Sequence, residues 1–259
     1  MEKTINVNFE EIIAERYFDE IDLELEYKRL DCHDHALVEE ASRCLAQTFA
    51  GVTVKGATIS EPMVKAVGLS VADFTIFVHE YIKSVVHHGL CYIAINKRNK
   101  KIIGVFANED YDPAEETPAF TGNLEPMNII CKLLDDLDKR FLETLYNKKN
   151  ILIEKSQFVH MFMIGIKLEK FRKDIAMDLI DICEKDAIAR NYKGIFLEAT
   201  NYKSAVIFDK YLKYSLVYDE NNMPILTKYS ETEHFKSIPE DVSCDCRIFY
   251  RALDSEYNI

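Results

Sequence analysis

The sequence predicts an α/β (α+β) fold, and three observations carry that prediction. Residues 160–212 read as an apolar run of strand length (His160 to Ile166), a short charged turn, an amphipathic helix, a second apolar strand (Gly194 to Ala199) and another amphipathic helix from about Asn201. Such a strand-turn-helix-strand-helix unit commonly presents the amino end of its first helix to an anionic ligand. Further helices with a clear 3.6 period begin near Ser70 and Glu125, and two strands flank the polar turn Lys97-Arg98-Asn99-Lys100. With 259 residues, 48% of them hydrophobic, the chain can bury a large core, as one big domain or two small ones. A single domain over residues 1–259 is expected, with 1–20 as an amino-terminal extension or short helix bearing Phe9, Ile12, Ile13 and Phe18 on one face.

In chain order, Leu23-Glu24-Leu25-Glu26-Tyr27 alternates as a half-buried strand does. Asp34 caps a helix with Ala36, Leu37, Ala41, Leu45 and Phe49 inward. Residues 51–60 carry two glycines and no helical period, so a loop is expected. Glu61-Pro62 starts a short helix that Gly68 ends, and Ser70 caps a longer one with Phe74, Phe77, Val78, Tyr81, Ile82 and Val85 inward. Strands at Cys91–Asn96 and Lys101–Asn108 follow, then a surface loop over 109–123. A helix over 125–148 turns Ile129, Leu133, Leu137, Phe141 and Leu145 inward. The central unit carries Ile175, Leu179, Ile182 and Cys183 on one helical face. Beyond it come a strand at 215–219, a turn at Asn221-Asn222-Met223-Pro224, a polar loop over 229–243 and a terminal strand over 247–253.

A formal net charge of −12 argues against nonspecific binding to nucleic acid or an anionic membrane, since both need a basic face. It reads as a solvated acidic surface, or as a rim that attracts cationic amines. No leader and no apolar run near the ~20 residues of a spanning helix is found. Seven cysteines, an odd number scattered from Cys32 to Cys246, do not suggest a disulfide framework, so a reducing cytoplasm is the expected setting. No metal is expected. His33-Asp34-His35 lacks further ligands at a recognised spacing, and Cys244-Asp245-Cys246 lacks a second cysteine pair.

The strand, Phe171-Arg172-Lys173-Asp174-Ile175-Ala176 and the following helix resemble the core of the Gcn5-related N-acetyltransferases, whose pyrophosphate loop reads [QR]-x-x-G-x-[GA]. Phe171 stands where that pattern has Gln or Arg, and Asp174 where it has Gly. Glu61-Pro62-Met63 with Val67-Gly68, then Ile102-Ile103-Gly104-Val105 with Asn108, resembles the arylalkylamine branch, well represented in insects. The resemblance spans roughly residues 23–253. It implies a mixed, mostly antiparallel sheet flanked by helices, and direct acetyl transfer from acetyl-CoA to a small primary amine of arylalkylamine or polyamine type, by a monomer or homodimer.

The same resemblance implies the site. Pantetheine would pair with the strand end Met163, Ile164, Gly165, Ile166, and a backbone N–H there would serve the thioester oxygen. The pyrophosphate would lie on the N–H groups of Arg172, Lys173, Asp174, Ile175 and Ala176 behind Phe171. Asp174 would repel it, and Lys170, Arg172 and Lys173 would offset that charge, unless the turn is merely solvated. Gly165 either eases a close approach or is tolerated beside a crowded helix. Glu61 is the expected base, against the plain alternative of a first-turn glutamate on the helix dipole. The family's acidic tyrosine falls at Phe208 or Asp209, so Tyr211, one turn away, is the substitute candidate. Asn201 matches the family asparagine at the cofactor and would equally serve as an N-cap. A degenerate member that binds CoA or a partner protein without catalysis is the alternative.

Overall fold

A computed structural model describes residues 14–18, 23–54, 57–167 and 171–259. The elements in chain order are β1 (Ala14–Phe18), β2 (Leu23–Arg29), α1 (His35–Ala50), β3 (Val52–Val54), β4 (Ala57–Ile59), α2 (Pro62–Ala66), α3 (Val71–Val85), β5 (Tyr92–Asn96) and β6 (Lys101–Asp110). There follow α4 (Met127–Lys149), β7 (Phe158–Ile166), α5 (Arg172–Ala189), β8 (Gly194–Ala199), α6 (Tyr202–Val206), β9 (Ser215–Leu216), β10 (Leu226–Lys228) and β11 (Asp245–Ala252). The main sheet runs β1-β2-β5-β6-β7-β8-β11-β10, with β9 also paired to β11. Every pairing in it is antiparallel except β7 with β8. The mixed, mostly antiparallel sheet is therefore as expected.

Period-two alternation divides the core between the two faces of the sheet. Ile93, Val105, Phe158 and Phe196 face one cluster, shared with α1, α3 and α4. Tyr92, Phe106, Val159 and Ile195 face the other, shared with α5. On that second face Arg29 Nη2 and the Tyr92 hydroxyl donate to the fully buried Asp186 carboxylate at 2.9 and 2.6 Å, which pins α5 across β2 and β5.

Helix starts follow the sequence closely. Asp34 accepts from the Leu37 N–H, and Ser70 from the Asp73 N–H. Several expectations change, however. Ala14–Phe18 form an edge strand on β2, not a helix, while Phe9, Ile12 and Ile13 lie outside the described residues. Residues 51–60 are not all loop, since β3 and β4 pair as a short hairpin. Ala36 is exposed, and Val38 and Cys44 take its inward place on α1. The strand expected over 215–219 keeps only Ser215–Leu216, and β10 arises just before the polar 229–243 loop. Both are short edge pieces whose partner, β11, is distant in sequence, so local pattern carries little of their signal. Among the described residues no helix is long and apolar enough to cross a membrane.

Candidate active site

The parallel pair β7/β8 holds only from Phe158–His160 opposite Gly194–Phe196. Beyond it β7 stays on β6 while β8 stays on β11, so the two strands part. A cavity of about 110 Å³ opens there, walled by Phe162, Met163 and Ile164 of β7 and by Leu197 and Glu198 of β8. Phe49 of α1, Phe74 and Phe77 of α3 and Met127 of α4 close its apolar side. These rings lie in one row, with Phe49, Phe74 and Phe77 stacked at centroid spacings of 6.0 and 5.5 Å.

Glu61 reaches this cavity from the start of α2. Its N–H donates to Phe49 O at 2.8 Å, which anchors the turn to the end of α1. Its Oε2 accepts from the Val64 N–H at 2.7 Å, so Glu61 is the N-cap of α2. Its Oε1 is buried and accepts no well-formed hydrogen bond, although the Thr200 side chain is near enough to favour the carboxylate. Burial raises the pKa of this carboxyl, against the opposing pull of the Val64 N–H, the Thr200 hydroxyl and the Met63 N–H. One side chain thus caps α2 with Oε2 and keeps Oε1 buried at the cavity.

The other expected residues divide into two places. Met163, Ile164, Asn201 and Phe208 line the cavity with Glu61. Asn201 is also the N-cap of α6, accepting from the Ser204 N–H at 3.0 Å. Gly165 and Ile166 continue β7, where a Cβ on Gly165 would collide with Thr48 Oγ1 and lie 2.8 Å from Leu45 Cδ1. The close packing of α1, then, requires the glycine. Phe171 precedes α5 without a side-chain cap, leaving the Arg172, Lys173 and Asp174 N–H groups with no acceptor inside the helix. Ile175 N–H is already spent on Phe171 O at 3.0 Å, and the Ile175 and Ala176 side chains are core. The first-turn N–H groups left open are therefore three, where five donors were expected. Lys170 lies outside the described residues. Tyr211 does not line the cavity; half exposed, it sits under Lys173 Nζ at 4.2 Å.

One constellation was not expected from the sequence. His160, directly across β6/β7 from Glu109, sets Nδ1 2.6 Å from Glu109 Oε1 and Nε2 2.7 Å from Glu198 Oε2. Its ring stacks on Phe196 with centroids 4.6 Å apart. Burial alone would discharge His160, but the carboxylates of Glu198 and Glu109 outweigh it and hold its pKa well above the usual range. Asp138 of α4 adjoins them, its pKa raised well by burial and then by Glu198. Burial also opposes the charge of Glu198, yet His160 and Asp138 keep its pKa low. The signal in the sequence was slight, a lone polar residue in each of two apolar strands, and only the register joins them.

No family profile and no curated protein matches the sequence. Solved structures do. A putative arylalkylamine N-acetyltransferase 7 from the yellow fever mosquito superposes with a TM-score of 0.66 at 13% identity, over 98% of this chain and 100% of that one. The C-terminal condensation domain of Ebony in complex with beta-alanyl-dopamine gives a TM-score of 0.60 at 16% identity, over 89% of this chain and 99% of that one. Arylalkylamine N-acetyltransferase 2 from Aedes aegypti gives 0.55 at 15%, again over 89% and 99%. At such identities the likeness is one of fold, and the fold is that of the Gcn5-related N-acetyltransferases.

Proposed function

We propose that this chain is an acetyl-CoA-dependent N-acetyltransferase that moves an acetyl group directly onto a small primary amine, of arylalkylamine rather than polyamine type. The observation that carries the proposal is Glu61, whose buried Oε1 belongs to a side chain on the wall of an apolar cavity at the parting of β7 and β8. Acyl transfer needs an amine made neutral beside a thioester. A carboxylate there removes that proton, directly or through one water. The stacked Phe49, Phe74 and Phe77 favour an aromatic body over a polyamine chain. The names of the similar solved structures, arylalkylamine N-acetyltransferases and a beta-alanyl-dopamine complex, agree with an amine-handling site.

In this reading the unpaired side of β7 at Met163–Ile166 receives pantetheine as an added strand, and a backbone N–H there meets the thioester oxygen. The first-turn N–H groups of Arg172, Lys173 and Asp174 take the pyrophosphate, with Arg172 and Lys173 offsetting the charge of Asp174. The leaving thiolate takes its proton from Tyr211 or from water. The enzyme works in the cytoplasm as a monomer or homodimer, without nucleic acid or membrane.

The test begins with thermal unfolding in acetyl-CoA. A ligand at 100 times its Kd stabilises the folded state by about 2.7 kcal/mol, so the midpoint should rise, and Arg172→Glu with Lys173→Glu should abolish the rise. An amine panel then seeks turnover that Glu61→Gln removes. Because Asp174 faces a diphosphate badly, ligand binding without transfer is the second reading. A midpoint shift with no acetylated amine from any of the panel would favour it.

A further inference from the structure

Three side chains on separate elements converge beside the cavity wall: Asp138 from the middle of α4, His160 from β7 and Glu198 from β8. One ligand atom of each lies within 4.8 Å of the others. His160 and the Glu198 side chain are 5% and 3% exposed. Asp138 Oδ1 and Glu198 Oε1 are both buried oxygens that no protein donor group reaches, and the two carboxyls lie close enough for one proton to bridge them when no cation is bound. Two acceptor-only oxygens in an apolar wall leave negative charge that a proton or a cation must meet.

The surroundings favour a cation. A metal-bound imidazole commonly donates its second ring N–H to a carboxylate, which fixes the tautomer and the ring. His160 is held this way at Nδ1, 2.6 Å from Glu109 Oε1, with Phe196 stacked flat on the ring; Nε2, 2.7 Å from Glu198 Oε2 in the metal-free chain, releases its proton to solvent when an ion takes its lone pair. The Glu109 partner is set by the sheet itself, since the two residues are paired in the β6/β7 register.

We propose that Asp138, His160 and Glu198 form a site for one divalent transition cation, Zn²⁺ in the first place, with Glu109 as the carboxylate that orients His160. One imidazole and two carboxylates are borderline-to-hard donors suited to Zn²⁺, and three protein ligands leave a coordination position open. The ion ties the long helix α4 to β7 and β8 and sets the charge on one wall of the cavity. The proposal stands apart from the acetyl-transfer reading. It also departs from the metal-free expectation of the sequence, because these ligands share no spacing within one element.

The test uses the full chain carrying Cys32→Ser and Cys244→Ser, which removes the thiols not buried in the fold. Calorimetric titration with Zn²⁺ should give one site per chain. Glu198→Gln and His160→Gln should each weaken it at least 100-fold, and Glu109→Gln 10–100-fold, with folding checked by circular dichroism. X-ray absorption of the zinc-loaded chain carrying the same Cys32→Ser and Cys244→Ser changes provides a second readout that alters none of the proposed ligands. It should show one imidazole with oxygen ligands. No stoichiometric zinc, binding unchanged by His160→Gln, or sulfur in the first coordination sphere overturns the proposal.

Discussion

In the proposed function Glu61 divides its two carboxylate oxygens between structure and chemistry, and its variants separate the two. Glu61→Gln keeps an oxygen for the Val64 N–H and removes the base, so kcat should fall 10²–10⁴-fold with little loss of stability. Glu61→Ala should lose the same activity and about 1 kcal/mol of stability besides, from the missing cap, which denaturant titration measures. The pH dependence follows from the direction of the shift. Burial holds the folded-state pKa above the ordinary 4.5, so the stability this group contributes is full below the unfolded value and is lost as pH rises through the folded pKa. Activity runs the other way, rising as Glu61 ionises over the same window. The decline of stability across that window should be absent in Glu61→Gln. A rate profile indifferent to Glu61 titration would exclude it as the base.

At the scale of elements, two contacts position the site. The first is α1 on β7, where Thr48 and Leu45 occupy the space a side chain at 165 would need. Gly165→Ala should cost about 1–3 kcal/mol by overpacking, read as a lowered denaturant midpoint, and Thr48→Ala should restore part of it. The second is α5 on β2 and β5 through Asp186. Removing that carboxylate leaves the Arg29 guanidinium and the Tyr92 hydroxyl without their partner, so Asp186→Ala should destabilise by about 3–5 kcal/mol in chemical unfolding. Since the first turn of α5 carries the expected pyrophosphate donors, the same change should weaken acetyl-CoA binding although Asp186 stands near the far end of the helix.

For the molecule as a whole, the cysteines report how the core is closed. Burial pushes the Cys44, Cys91 and Cys131 thiols up to about 12, and Cys183 and Cys246 are buried as well. Thiolate is the reactive species, so in the native protein a thiol reagent should modify Cys32 and Cys244 alone, and all seven only after unfolding. Prompt native labelling of Cys44 or Cys91 would show that the sheet opens around α1.

Much of the arrangement was legible before any coordinates, for a local reason. Caps, helical period and strand alternation are written within a few residues of each other, so Asp34, Glu61, Ser70 and Asn201 mark their helix starts correctly, and α3, α4 and α5 fall where periodicity put them. The position of Glu61 and the strand-turn-helix unit at 160–189 belong to the same class of signal. Long-range partners are not so written. The edge strand β10, the demand of α1 for a glycine at 165 and the early use of the Ile175 N–H all depend on neighbours outside the local segment or on the exact helix start. So does the meeting of Asp138, His160 and Glu198 with Glu109. His160 and Glu198 are lone polar residues in apolar strands, while Asp138 and Glu109 sit among other polar residues, and only the sheet register and the lay of α4 across it make them one cluster. Local backbone chemistry is encoded residue by residue, whereas a buried charge cluster exists only once separate elements have packed and excluded water from between them.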